Sequence, residues 1–276
     1  MNNIRRLAFI GGGNMAAALI GGLTRRGLPG ERVVVADPSR EQLERLVRDF
    51  GVTAAADNTG AARGAEALIL AVKPQQMRTV ALGLASGMTA SPPLVISVAA
   101  GIPHAALARW FGPRVPVVRT MPNRPALNGF GATGLYAPAS VGHANRALAE
   151  MIMAAVSATV WVEHESQMDT VTALSGSGPA YFFLFMEALE AAAHERGLPK
   201  DVAHQLTLAT AVGAAQMAQH STESLATLRE QVTSKGGTTA AALAVLDAAG
   251  LRAIVAHAVA AADRRSAELA AEYGAP

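Results

Sequence analysis

Cysteine is absent from this 276-residue chain, which excludes disulfides, thiolate catalysis and Cys-based metal sites and gives no sign of an oxidising compartment. Aromatic residues make up 4% of the chain and apolar residues 51%, with Ala abundant, a balance that favours close-packed helices over a sandwich held by large rings. Lysine occurs only at Lys73, Lys200 and Lys235, so the 23 basic residues are nearly all Arg. Against 21 acidic residues the formal charge is +2, and no block of like charge runs along the chain. That pattern gives no nucleic-acid footprint and suits a small anionic ligand better. Eighteen uninterrupted apolar residues are nowhere found; the segment 202–219 comes nearest and is broken by His204, Gln205 and Gln216. The basic opening is followed by an apolar run, Leu7 to Ile10, that stops at Gly11 after four residues, too soon for a signal peptide. A cytoplasmic protein without membrane or nucleic-acid partners is expected. The seven histidines include no i, i+4 pair, so no metal site is expected either.

What is present is a strong alternation of patterns. Short β-branched or apolar runs at 6–10, 32–36, 67–72, 94–98, 115–119 and 159–162 read as strands, with helical patterns at 14–26, 39–50, 75–86, 103–111 and 142–157. Such alternation predicts βαβ units and hence a doubly wound, mainly parallel sheet covered on both faces, an α/β Rossmann domain over residues 1–163. Beyond it the strand signal stops. Segments 165–173, 178–197, 199–220, 223–232, 238–249 and 251–272 all read as helices, an all-α domain over residues 164–276. Helices 178–197 and 199–220 are apolar round most of their circumference and need cover on several sides, which predicts dimerisation through this domain. Ala-rich helices that look apolar without needing burial are the alternative.

The first turn carries the most specific local signal. Gly11, Gly13 and Ala16 occupy the three small positions of G-x-G-x-x-A between a strand and an apolar helix. The first permits a tight turn, the second lets backbone approach a pyrophosphate, and the third lets helix pack on strand. The helix N-terminus at Asn14 and Met15 then offers free N–H groups and a positive dipole end. The second strand ends at Asp37, the usual partner of a free ribose 2′-OH, while Ser39 and Arg40 suit a 2′-phosphate, so NAD and NADP both stay open here. Ala71, Val72, Lys73 and Pro74 close a further strand at the crevice where such sheets bind ligands, and Asn58 is assigned to the same cofactor set.

Three more segments complete a family pattern: Val118 to Pro125 with Met121-Pro122-Asn123, Ala173 to Tyr181, and Val232 to Thr239. Together with the glycine loop and Ala71 to Pro74, they resemble pyrroline-5-carboxylate reductase over essentially the whole chain. The family pattern usually has Thr where this chain has Arg124, and commonly Pro where it has Lys235. The resemblance implies hydride transfer from NAD(P)H, with NADP the favoured cofactor, to a cyclic imino acid, giving L-proline. It also implies dimers, often built into larger rings, with the site between subunits. Cofactor contacts at Met121, Pro122 and Asn123 follow from it. So does a carboxylate turn made of Ser234, Gly236, Gly237, Thr238 and Thr239, with Thr239 managing the proton at the imine nitrogen.

The residues themselves permit this. Hydroxyls and glycines before a helix near Thr238 make a ready anion cradle, although the same turn alone could be an ordinary capped helix connection. Ser177 is no hydrolase nucleophile, since Ser175 and Pro179 stand where a nucleophile elbow needs Gly. It reads instead as an N-cap, with Pro179 near N1. A β-hydroxyacid dehydrogenase would need a catalytic Lys in the helix after the sheet, and no Lys lies between Lys73 and Lys200. A non-catalytic cofactor-binding protein would carry a degraded substrate turn, whereas both hydroxyls and glycines are kept.

Overall fold

The computed structural model describes residues 4–88 and 92–275, so the first three residues of the basic opening lie outside it. The sheet strands are β1 (Leu7–Ile10), β2 (Val33–Ala36), β3 (Thr53–Ala54), β4 (Ala67–Leu70), β5 (Leu94–Ser97), β6 (Val117–Met121), β7 (Gly131–Tyr136) and β8 (Ser157–Trp161). Between them run α1 (Asn14–Arg25), α2 (Arg40–Phe50), α3 (Asn58–Ala62), α4 (Pro74–Ala85), α5 (His104–Phe111) and α6 (His143–Met153). The strand order is β3-β2-β1-β4-β5-β6-β7-β8, parallel throughout except where β7 runs antiparallel to β6. The order reverses direction between β1 and β4, the switch point at which a doubly wound sheet opens a ligand crevice.

The central strands LAFI, VVVA, ALIL and LVIS are buried at every position, as a parallel sheet covered on both faces requires. Their period of two sorts the side chains between two cores. Leu7 and Phe9 join Leu19, Leu23, Leu46 and Ile152 on one face. Ala8 and Ile10 join Met77, Leu84, Leu107 and Trp110 on the other. Burying a Leu or Met fully contributes about 1.5–3 kcal/mol, so these two layers fix the frame from which the loops at the strand ends project.

Four elements depart from the sequence-based expectation. Strand β3 and helix α3 are only two and five residues long, too short to leave a pattern. Strand β7 spells Gly-Ala-Thr-Gly-Leu-Tyr, whose two glycines mask its strand character; a Cβ on Gly134 would stand 2.6 Å from Val171 Cγ1. Strand β6 also sits two residues later than expected and ends at Met121.

The remaining helices are α7 (Gln167–Val171), α8 (Gly178–Glu195), α9 (Lys200–His220), α10 (Leu225–Gln231), α11 (Thr238–Ala248) and α12 (Leu251–Tyr273). The chain forms two compact units: residues up to Ser177 together with those from Ala260 onward, and Gly178–Val259. The end of α12 thus belongs to the sheet unit, where Asp263 accepts a hydrogen bond from Thr170 Oγ1 and Ser266 Oγ donates to Asp169, both at 2.7 Å. Among the described residues no single helix is long and apolar enough to cross a membrane.

Ser177 is not an N-cap. Thr172–Gly176 form a wide π turn, Ser177 has helical angles (φ −84°, ψ −25°), and its N–H donates to Thr172 O five residues back at 2.9 Å. The physical reason lies in Pro179, which has no N–H to offer the carbonyl of Ser175. That carbonyl is taken by Asn123 Nδ2 at 2.9 Å.

Candidate active site

The glycine loop crosses the sheet's switch point. Gly11 has φ +96°, and a Cβ there would stand 2.5 Å from Ala71 O, so only glycine fits against the end of β4. Gly13 differs: a Cβ on it would meet nothing within 4 Å. Protein packing does not demand a small residue at Gly13, whereas close approach of a ligand does. Ala16 is fully buried on the sheet, the packing role its small size implies. Helix α1 has Gly13 as N-cap with no side-chain cap and no acidic residue in its first turn. The N–H groups of Asn14, Met15 and Ala16 therefore point out of the helix with no intrahelical acceptor, an electropositive cradle suited to a diphosphate.

Beside the loop lies a crevice of about 480 Å³ lined by Gly11, Asp37, Asn58 and Val72, with Asp57, Gln75, Gln76 and Thr79. Residues Gln75, Gln76 and Thr79 were not anticipated from sequence; their spacing along the first turns of α4, directly after Lys73 as N-cap and Pro74 at N1, was the available signal. The dimensions and the glycine cradle fit a dinucleotide's adenosine half.

Asp37, which lines the crevice, also serves the backbone. Its Oδ2 accepts from Gly12 N at 2.6 Å and its Oδ1 from Ser39 N at 2.7 Å. One carboxylate thus ties the glycine loop to the end of β2, each oxygen accepting one backbone N–H. Ser39 caps α2, its Oγ accepting from Gln42 N at 3.4 Å. Arg40 does not join the crevice group: its side chain is 91% exposed and paired with Glu44 at 2.8 Å on the outer face of α2.

At the end of β6, Met121, Pro122 and Asn123 are held from behind. Asn123 is buried; its Oδ1 accepts from Ala132 N at 2.9 Å while its Nδ2 supports the Ser175 carbonyl. Gly176 of the π turn leaves room for Met121, whose Cε would stand 2.6 Å from a Cβ there. Nearby, buried Arg119 pairs with Glu165 at 2.9 Å, and the same carboxylate oxygen accepts from the N–H of His104 at the start of α5. Burial lowers the His104 pKa below its ordinary value, outweighing the opposing pull of Glu165.

In the other unit, the turn between α10 and α11 carries Ser234 to Thr239. Gly236 has φ +73°, and Gly237 N donates to Ser234 O at 3.1 Å. A Cβ on Gly237 would fall 2.2 Å from Ser234 Oγ, so glycine is needed there for the hydroxyl to sit over the turn. Gly237 is the N-cap of α11 and provides no side-chain cap, leaving the N–H groups of Thr238 and Thr239 free of intrahelical acceptors. Ser234 and Thr238 are exposed and Thr239 is half-buried. Among the described residues no group of three or more His, Asp or Glu side chains is placed to hold a metal.

Comparison with known proteins gives a consistent result. Residues 165–269 match the family described as pyrroline-5-carboxylate reductase dimerisation, and residues 6–101 that described as NADP oxidoreductase, coenzyme F420-dependent. A pyrroline-5-carboxylate reductase of Pseudomonas aeruginosa is 47% identical over 269 residues, covering 98% of each chain. A solved pyrroline-5-carboxylate reductase from Coxiella burnetii superposes with a TM-score of 0.94 at 42% identity, over 97% of this chain and 99% of that one. A Plasmodium falciparum pyrroline carboxylate reductase, solved with NADP bound, gives 0.85 at 28% identity over 98% and 99%.

Proposed function

The chain belongs to the pyrroline-5-carboxylate reductase family, and from that premise we propose how its own residues divide the work of the reaction. The enzyme reduces the C=N bond of 1-pyrroline-5-carboxylate with NADPH to give L-proline. The observation that carries the assignment of roles is the pairing of two open anion cradles in one chain. One is the α1 N-terminus with empty space at Gly13; the other is the Ser234 to Thr239 turn.

When bound, the reduced nicotinamide supplies the hydride for the imine carbon. Everything else falls to the protein. Gly11, Gly13, Asn14, Met15 and Ala16 form the diphosphate cradle, and Asp37, Ser39, Asn58 and Ala71 to Pro74 border the adenosine half. The preference for NADPH rests on the match to the family described as NADP oxidoreductase, coenzyme F420-dependent, and on a relative solved with NADP bound, while Asp37 holds the glycine loop to Ser39. Met121, Pro122 and Asn123 end the strand that faces the reacting half.

Ser234, Gly236, Gly237, Thr238 and Thr239 hold the substrate carboxylate through hydroxyls and N–H groups. Thr239 Oγ1 hydrogen-bonds the imine nitrogen as its charge changes. As hydride adds to carbon, the C=N π pair moves to nitrogen, and the proton on that nitrogen stays with the product. Residues 1–163 serve the cofactor, and residues 164–276 serve self-association and the substrate. The assembly is a cytoplasmic dimer or larger ring, without nucleic-acid or membrane partners, and the carboxylate turn works beside a neighbouring copy's cofactor. Replacing Thr239→Val should lower kcat roughly 100-fold while NADPH titration stays at the wild-type Kd. Equal turnover in the variant would remove Thr239 from the chemistry.

A further inference from the structure

We infer that Arg124 is an additional cation for the dinucleotide's diphosphate, a contact built from this chain's own departure at a position where the family usually has Thr. The inference rests on the cofactor reading above.

Arg124 opens the 3₁₀ turn Arg124–Asn128 that follows β6 and packs along α1. Its backbone is fixed from both sides. Asn123 is anchored by its two amide hydrogen bonds, and Pro125 restricts the next φ while its carbonyl accepts from Phe130 N at 3.1 Å. The side chain is exposed, and it lines a recess of about 220 Å³ with Asn14, Met15 and Leu127. Asn14 and Met15 are the first two residues of α1, the source of the free N–H groups and the positive dipole end.

Several other arginines of this unit are occupied. Arg40 pairs with Glu44, Arg48 with Asp49, Arg119 with Glu165 and Arg265 with Glu268, while Arg146 stacks on Trp161 at 4.1 Å from the ring centroid. For Arg124 no ion pair or hydrogen bond is recorded among the described residues, and no acidic side chain lines its recess. A guanidinium beside an uncapped helix start, with no competing carboxylate, places two sources of positive potential on one small volume. The anion that must come to the α1 N-terminus is the diphosphate, and a planar guanidinium can meet two phosphate oxygens at once.

The test is equilibrium titration of the full-length enzyme, followed by fluorescence, with NADPH and with adenosine 2′-monophosphate, which lacks the diphosphate. Arg124→Thr should raise the NADPH Kd roughly tenfold, the loss expected for one charge-assisted contact open to solvent. It should leave adenosine 2′-monophosphate binding and the imine KM at saturating NADPH unchanged, and make the salt dependence of NADPH binding shallower. Arg124→Lys, which keeps the charge, should stay within about threefold of wild type and confirm that the fold tolerates change here. An unchanged NADPH Kd in Arg124→Thr would overturn the inference. So would equal weakening of both ligands, or a raised imine KM with NADPH binding intact, which would move Arg124 to the substrate. If the wild-type enzyme failed to bind NADPH at all, the cofactor reading itself would fall.

Discussion

Two buried or half-buried polar side chains hold the cofactor region together by serving the backbone. Asp37 joins Gly12 to Ser39, so its removal cuts one tie between the glycine loop and the end of β2, leaving Gly11 N on Ala36 O as the other, and leaves two N–H groups without an acceptor. Asp37→Ala should therefore weaken NADPH and NADH binding alike, by about tenfold, measured by the same fluorescence titration. Loss confined to NADH would show instead that the carboxylate reads the ribose. Asn123 joins Ala132 N to the carbonyl that Pro179 leaves unserved. Asn123→Ala strands both groups and should cost about 2–4 kcal/mol in urea unfolding, since each orphaned buried group costs about 1–3 kcal/mol. An unchanged midpoint would mean the π turn finds other support. Neither role was legible in the sequence. Asp37 at a strand end reads as a ribose contact, and Asn123 inside a family motif reads as a cofactor contact, because the hydrogen-bond partners lie 25 and 52 residues away.

At the scale of elements, periodicity carried the sheet unit where strands are buried and helices long. Strands β1, β2, β4 and β5 announce themselves as continuous apolar runs because both faces are covered. Strand β7 does not, since close packing of Gly131 and Gly134 against neighbours takes the place of β-branched side chains. The π turn before α8 was hidden too, because the Ser-Gly-Ser-Gly-Pro run that ordinarily starts a helix here continues one. The start of α5 carries a pH prediction. Burial holds the folded His104 below its unfolded value of about 6.5, so the unfolded chain takes up this proton first as pH falls. The stability His104 contributes is then complete above that value and is lost as pH drops through it toward the folded pKa. Urea unfolding between pH 8 and 5 should show that decline in the wild type and a weaker one in His104→Gln; identical profiles would exclude His104 as the cause.

For the whole molecule, the helical unit is incomplete as a single copy. Phe182, Phe183 and Leu184 are 71, 64 and 66% exposed, and Phe185 is 47% exposed. Four consecutive helical residues cover most of the circumference of α8, so no single neighbouring surface can bury them. Leu206 and Val212 of α9, Val245 of α11 and Ile254 of α12 are exposed as well. The exposure of these helices agrees with the self-association read from their all-round apolar sequence and with the match of residues 165–269 to the dimerisation family. Sedimentation should find a dimer or larger species, and Phe183→Glu should shift it toward monomer and lower the Tm. A wild-type monomer at micromolar concentration would contradict the role of this surface.

The proposed dinucleotide cradle and small-carboxylate turn serve a single imine reduction, the turn of one copy working beside the cofactor of another. The direct test is the loss of reduced-nicotinamide absorbance on adding 1-pyrroline-5-carboxylate, with NADPH and NADH run in parallel and proline measured as product. Substrate-dependent oxidation is expected, faster with NADPH, with one proline formed per cofactor oxidised. No substrate-dependent loss of absorbance with either cofactor would contradict it.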